Sequence, residues 1–495
     1  MNEQQKQRIK ARLPHGFRDR DEADIAAERR MLDTIRRVYE SYGFSALETP
    51  AFEYTDALGK FLPDSDRPNE GVFSLKDEDG QWLSLRYDLT APLARYVAEN
   101  FQNLPKPFRR YQLGQVWRNE KPGPGRYREF TQFDADTVGS ASPAADAELL
   151  MMFADSLEAL GLKRGEYLIK VNSRKVLNGV LEAANIDPSK RGTVLRAIDK
   201  VDRLGVEGVR ALLGKERRDE SGDVTRGAEL NPEQTARVLK FIMTPPQPAI
   251  GDGLFKWWND VAPEQAAGSI GYIGVQELSE IVATLERTGY LGRVQLDSSI
   301  IRGLDYYTGA VFEAQLTFPV RNEDGDTVVF GSVGGGGRYD NLIERFGGRS
   351  IPASGFSLGV SRLFSVLKAR AGAAAFAVEP LIVVMVLDKA EIAESFRLAQ
   401  ELRTAGFRAE AYVGEAGMKA QLKYADKRNA AIAVIEGSDE RAAGKVTLKD
   451  LALGAELAKS MESRAAWVKD RPAQTSVKRA ELVQAVRAML GERGG

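Results

Sequence analysis

The side chains able to do chemistry in this chain are arginines, carboxylates and hydroxyls. Cysteine is absent and histidine occurs once, as His15. Disulfides, thiolate nucleophiles and metal sites built from cysteine or several histidines are therefore excluded. His15 itself reads as a turn or surface residue. Arg118 and Arg126 flank the run Lys121-Pro122-Gly123-Pro124-Gly125, with Arg128 and Phe130 just beyond. Guanidinium groups stay charged and grip phosphate oxygens in a two-pronged fork. Two of them at the ends of a glycine-rich loop can close on a polyphosphate, and Phe130 could stack on a base; the alternative is a solvated hairpin tip. In Arg302-Gly303-Leu304-Asp305-Tyr306-Tyr307, charged and phenolic groups fall on both faces of an expected strand. That pattern suits either a ligand site or an edge salt bridge with structural tyrosines. Gly355 to Leu363 ends on Arg362 near an expected helix start, where it could reach a phosphate, or the glycines serve close packing alone. Asp88 and Thr90, two apart, could accept hydrogen bonds from an ammonium group or cap a helix.

These groups need elements to hold them. Apolar residues at Met31, Ile35, Val38 and Tyr42 give a helical period over 26–42, with Gly43 as its cap. Phe44 to Thr49, Val72 to Tyr87 and Arg110 to Asn119 read as strands. The 121–125 loop can be neither helix nor central strand, so strand character on both sides of it predicts a long antiparallel hairpin ending near Val138. Pro143 to Leu160 reads as a helix and Tyr167 to Asn172 as a strand. Residues 173–293 have a helical texture, broken by the charged stretch Lys215 to Arg226, and strand-rich sequence returns at 294–316 and 326–333, before the four glycines 334–337. The pattern predicts an interrupted domain: 1–172 and 294–370 form one body, and 173–293 is a helical insertion. Residues 371–379 form a linker. Beyond it strands alternate with helices, which predicts a small α/β domain over 380–495. Within that domain Lys419, Lys423 and Lys427 recur every four residues, making one basic helix face.

A length of 495 residues implies two or three domains. Lysine plus arginine is 69 and aspartate plus glutamate 70, a formal net charge of -1, so a nucleic-acid partner would have to be met by local basic patches. No run approaches the ~20 apolar residues of a membrane span, and residues 1–13 lack the apolar core of a signal peptide. A cytoplasmic protein without membrane contact is the expectation.

Taken together, the segments resemble the signature motifs of class II aminoacyl-tRNA synthetases. The strand ending at Pro50 is similar to the first motif, Arg118 through Gln132 to the second and Gly355 through Arg362 to the third. Arg302 to Glu313, Gly334 to Asp340 and Met418 to Arg428 resemble the histidyl-tRNA synthetases in particular. The resemblance implies an α+β fold, with a mainly antiparallel catalytic sheet flanked by helices and a C-terminal α/β anticodon-binding domain. It implies ATP and Mg²⁺ as cofactors, and L-histidine, tRNA(His) and a second copy of the chain as partners. The apolar face of the Met31 to Tyr42 helix is the expected dimer surface.

Residue by residue, the resemblance puts Arg118 on the α-phosphate and Arg302 beside the carboxylate and α-phosphate, as the catalytic pair. Arg126 and Arg362 would hold the outer phosphates, and Phe130 the adenine. Asp88, Thr90 and Gln132 would take the α-ammonium group, while Asp136 and Tyr307 would face the imidazole, with Tyr306 and Tyr339 in the same pocket. Lys121, Arg128, Lys419, Lys423 and Lys427 would meet tRNA. The chain departs from the family at Ser361 (usually Glu), at Thr131 (often His), at Asp88 and Asp136 (often Glu) and at Lys121 (often Arg). The departures in the second motif predict altered reading of the extra 5′ guanylate of histidine tRNA. An inert relative, acting as a regulatory subunit or tRNA sensor, is the competing expectation.

Overall fold

A computed structural model describes residues 10–61, 71–123, 127–218, 224–244, 253–301, 307–321, 327–328, 331–371, 379–454 and 473–491. Arg126, Arg302 and Tyr306 lie outside these ranges. The chain divides into two compact units, Met1–Phe376 and Ala377–Gly495.

The strands of the first unit are β1 Ser45–Ala46, β2 Phe52–Tyr54, β3 Ser74–Lys76, β4 Trp82–Leu85, β5 Phe108–Trp117, β6 Glu129–Val138, β7 Tyr167–Ser173, β8 Glu216–Arg218, β9 Val224–Arg226, β10 Val294–Leu296, β11 Ala310–Leu316, β12 Val320–Arg321, β13 Thr327–Val328, β14 Ser332–Arg338 and β15 Ala353–Gly359. Its helices are α1 Glu22–Ser41, α2 Thr90–Asn100, α3 Pro143–Ala159, α4 Arg174–Ala183, α5 Pro188–Ile198, α6 Val201–Leu213, α7 Pro232–Met243, α8 Gly253–Val261, α9 Ile270–Arg287, α10 Glu344–Gly347 and α11 Val360–Ala371.

Eight strands form the main sheet in the order β1-β5-β6-β15-β14-β11-β7-β10. Only its two outer pairs, β1 with β5 and β10 with β7, are parallel. The expected long hairpin is present: β5 and β6 pair antiparallel from Phe108 with Val138 to Trp117 with Glu129. The four glycines, left outside any strand by the sequence pattern, lie within β14. Side chains are excluded there because a Cβ on Gly336 would stand 2.1 Å from the Gly355 carbonyl oxygen.

Helix α1 begins four residues before the predicted start at 26, since Asp21 caps it by accepting from the Asp24 N–H. Its apolar face is not an exposed dimer surface, contrary to the sequence-based expectation. Met31, Ile35 and Tyr39 are buried in the core with α3, and the Tyr39 hydroxyl donates to the Phe133 carbonyl at 3.2 Å. The exposed apolar face lies elsewhere, on the small sheet β2-β4-β3. There Glu53, Ser74 and Ser84 share one face. Phe52, Tyr54 and Leu75 stand exposed on the other.

Residues 173–293 supply α4 through α9, as the helical texture predicted. Their apolar faces join the core of the main sheet rather than forming a separate one. α4 meets α9 where two glycines face each other; a Cβ on Gly179 would stand 2.5 Å from the Gly271 Cα.

The second unit holds β16 Leu381–Val384, β17 Arg408–Ala411, β18 Ile432–Ile435, β19 Lys445–Asp450 and β20 Gln474–Lys478. Its helices include α12 Ile392–Thr404 and α13 Met418–Lys427. The sheet order is β17-β16-β18-β19-β20, with the first three strands parallel and the last two joined antiparallel. Among the described residues no helix is long and apolar enough to cross a membrane.

Candidate active site

Strand alternation decides which side chains reach the site. On β6, Phe133 and Ala135 point into the core beneath α1 and α3. Gln132, Asp134 and Asp136 share the opposite face. That face borders a cavity of about 600 Å³, within the usual range of small-molecule sites. Its wall includes Asp88, Thr90, Arg118, Phe130, Gln132, Asp134, Tyr307 and Arg362, along with backbone from Gly334 to Gly336. Residues separated by more than 270 positions in the chain thus meet in one hollow.

Part of the cavity lining is basic. Arg118 follows β5, and its backbone N–H donates to the Arg128 carbonyl at 2.8 Å, closing the hairpin. Its guanidinium lies 4.3 Å from the Tyr87 ring centre and 5.0 Å from that of Phe130. Nε also donates to the Tyr87 carbonyl at 3.3 Å. Two aromatic faces therefore fix the arginine before any ligand arrives. Arg362 sits in the first turn of α11, where it donates to the Ser332 carbonyl at 2.7 Å. Its neighbour Ser361 accepts from the Thr131 backbone N–H at 3.1 Å, joining β6 to α11, while the Thr131 hydroxyl donates to Glu28 at 3.4 Å.

Another part is acidic. Asp88 caps α2 by accepting from the N–H groups of Thr90 and Ala91 at 3.1 and 2.9 Å, and it also lines the cavity. The cap and the ligand-facing position are thus held by one side chain. Gln132 Nε2 donates to the Ser357 hydroxyl at 2.5 Å. Asp134 is 2% exposed. Burial, reinforced by the charge of Asp136, pushes its carboxyl up to about 8, against the pull of Arg110 and a hydrogen bond from Ser357. Burial also raises Asp136 above the ordinary aspartate range, opposed by Arg110 and Tyr339.

Asp136 lies on the same face of β6 as Gln132 and Asp134. It is absent from the cavity wall. Arg110, on the neighbouring strand, pairs with its Oδ2 at 2.9 Å, and the Tyr339 hydroxyl donates to Oδ1. Tyr339 is likewise buried and stands behind the wall. Tyr307 does line it. The segment from Tyr307 to Gly309 is anchored by a buried network. Thr308 donates to Asp340 at 2.7 Å, Arg338 pairs with Asp146 at 2.6 Å, and Ser354 donates to Asp146 at 2.6 Å.

The residues expected to meet RNA fall into two groups. Lys121 is exposed at the hairpin tip. Arg128 is half-buried, and its guanidinium donates to the carbonyls of Glu120 and His15 at 3.0 and 3.4 Å. It therefore holds the segment around Gly16 against the hairpin. In the second unit Lys419, Lys423 and Lys427 are all exposed on one face of α13.

Sequence reasoning passed over Asp134, Ser357, Arg110 and Glu120. Asp134 was within reach of it, because period-two alternation puts it between Gln132 and Asp136 on the same face. Arg110 was not, since its partner is known only from strand register.

Comparison with known proteins agrees with this geometry. Residues 16–363 match the family model for histidyl-tRNA synthetase, and residues 381–489 that for an anticodon binding domain. The chain is 55% identical over 489 residues to the histidine–tRNA ligase of Brucella abortus, covering 98% of this chain and 96% of that one. It is 56% identical over 497 residues to that of Methylocella silvestris, covering 98% of each. Among solved structures, the histidyl-tRNA synthetase of Nostoc sp. PCC 7120 superposes with a TM-score of 0.70 at 30% identity, over 97% of this chain and all of that one.

Proposed function

For a chain that belongs to the histidyl-tRNA synthetase family, we propose the two-step ligation of L-histidine to tRNA(His). The observation that carries this reading is the lining of one cavity, which brings the carboxylates Asp88 and Asp134 together with the guanidinium groups of Arg118 and Arg362. An amino acid and a nucleoside triphosphate need those opposite environments side by side.

In the first step a carboxylate oxygen of histidine attacks the α-phosphorus of ATP in line. The P–O bond to the β-phosphate breaks, pyrophosphate leaves, and histidyl-adenylate forms. A carboxylate nucleophile needs no base; it needs alignment and shielding of phosphate charge. Arg118 supplies both at the α-phosphate, with Arg302 as its partner. Arg126 and Arg362 hold the outer phosphates, and Phe130 stacks on the adenine. Asp88, Thr90 and Gln132 take the α-ammonium group, and Tyr307 flanks the imidazole. In the second step a ribose hydroxyl of the terminal adenosine attacks the carbonyl carbon of the adenylate, and AMP leaves.

The residues present fit Mg²⁺ carried on the phosphates. Glu120 offers a hard oxygen donor in the cavity wall. Among the described residues no group of three histidine, cysteine or acidic side chains could hold a metal by itself. When bound, the ion would neutralise phosphate charge.

Lys121 meets the acceptor end, and the basic face of α13 the anticodon arm. The C-terminal unit argues against the inert regulatory reading, and the presence of Arg118 and Arg362 in the cavity does so as well. We place the enzyme in the cytoplasm as a homodimer, with the apolar face of β2-β4-β3 covered by the second copy. Residues 173–293 act as the inserted module, 371–379 as the linker and 380–495 as the anticodon binder. Histidine-dependent ATP–pyrophosphate exchange, followed by charging of tRNA(His) transcripts, tests the proposal. Exchange with histidine alone among the amino acids is the expected result; a folded protein without it would refute the assignment.

A further inference from the structure

We propose that residues 10–18 form a second basic contact for RNA, docked beside the hairpin tip where the acceptor end of a tRNA must pass. This rests on the ligase reading and adds a partner surface to it.

The chain as a whole is near neutral, at -1, yet residues 10–20 carry Lys10, Arg12, Arg18 and Arg20 against one carboxylate, Asp19. Lys10, Arg12 and His15 are exposed. Among the described residues no carboxylate pairs with Lys10 or Arg12, whereas Arg20 is taken by Glu28. A local excess of cations on a neutral body is what a polyanion contact requires.

A solvated tail needs no fixed place, and this segment has one. The Arg128 backbone N–H donates to the Gly16 carbonyl at 2.9 Å, and its guanidinium donates to the carbonyls of His15 and Glu120 at 3.4 and 3.0 Å. One side chain thus spans the hairpin and the segment. Arg18 lies 4.4 Å from the Tyr127 ring centre and donates to its hydroxyl at 3.3 Å. Phe17 packs on Phe73, with ring centres 6.0 Å apart. Gly16 has a φ of +85°, and a Cβ there would stand 2.9 Å from Arg128 Cγ and 3.3 Å from Pro122 Cβ. Glycine is what lets the backbone come this close to the tip. Arg128, expected from the sequence to meet RNA itself, instead holds a basic segment in position to do so.

Tyr127 and Glu120 also line the cavity, so the segment is one side chain away from its rim. Lys121 is exposed beside Pro122 on the same tip. The terminal adenosine must enter the cavity for its ribose to reach the adenylate, and the phosphates behind it then cross this rim. Lys10 and Arg12 lie within six residues of Gly16, no more than about 20 Å of extended chain. A contact of this kind meets backbone charge and leaves base reading to other groups.

The test uses the full-length protein, a Lys10→Ala, Arg12→Ala double variant and Gly16→Val. The probes are a tRNA(His) transcript, a minihelix with only its acceptor stem, and its anticodon stem–loop, each titrated by fluorescence anisotropy over a range of salt. The double variant should bind the transcript and the minihelix about five- to tenfold more weakly at low salt and flatten the log–log salt dependence by about 2. It should bind the anticodon stem–loop as the wild type does, and exchange without RNA should stay within about twofold. Gly16→Val keeps every cation but forbids the close approach to Arg128, so it should weaken minihelix binding too. Unchanged minihelix affinity and salt slope in the double variant would overturn the proposal, as would a loss confined to the anticodon stem–loop. Normal minihelix binding by Gly16→Val would overturn the docking. A wild-type protein that shows no exchange would overturn the ligase reading instead, so the two failures are distinguishable.

Discussion

In the first unit Arg110 is fully buried and faces Asp136, itself 2% exposed, whereas in the second unit Lys419, Lys423 and Lys427 stand in solvent on one face of α13. The contrast follows from the sizes of the ligands proposed for each. A small zwitterion must be stripped of water and held at a few atoms, so its partners are buried and locked in place beforehand. A long polyanion brings its own charge field, so exposed lysines can attract it without a fixed geometry. The first arrangement makes charge costly to disturb, and the second makes it cheap.

Four variants probe that contrast. Arg110→Leu would leave Asp136 buried without its cation, and breaking a buried pair costs about 3–5 kcal/mol; chemical denaturation should show a loss of that size. Arg118→Ala removes a fixed guanidinium from the α-phosphate, and the exchange rate should fall on the order of 10²–10³-fold with folding retained. Asp134→Asn should stabilise the ligand-free protein in a pH-dependent way. Its carboxyl sits at about 8 in the folded chain, against about 3.9 when unfolded. The folded state therefore keeps a proton that the unfolded state releases, and stability is lost as pH rises from about 4 to about 8. The melting-temperature gain of Asp134→Asn should grow from about pH 5 to pH 8, then level off, reaching a few degrees; a gain independent of pH would contradict the burial argument. The smallest effect is expected from replacing Lys419, Lys423 and Lys427 together by alanine. Exchange should be unchanged, while tRNA binding weakens and its log–log salt dependence flattens by about 2. An unchanged salt slope would remove α13 from the RNA interface.

The same contrast marks what the sequence made legible. The hairpin was readable from Lys121 to Gly125, because proline and glycine forbid other structures there. The basic face of α13 was readable from its spacing of four. Arg118, Phe130 and Arg362 were candidates from their places beside glycine-rich turns, and the resemblance to the synthetase motifs gave them their roles. Asp136 was harder: its residue type announced a charge, yet whether that charge meets a ligand or another side chain depends on Arg110 and Tyr339, which register and tertiary packing bring to it. The apolar stripe of α1 misled for a related reason. Periodicity shows that a face is apolar, but what covers it is decided by α3 and β6, which begin at Pro143 and Glu129, far along the chain.

The central claim is that one cavity holds the amino acid at its carboxylates and the nucleotide at its guanidinium groups. Calorimetric titration with the non-hydrolysable sulfamoyl analogue of histidyl-adenylate measures this most directly. One tight site per chain, blocked by either histidine or ATP alone, is the predicted result. Binding that ATP displaces and histidine does not would contradict it.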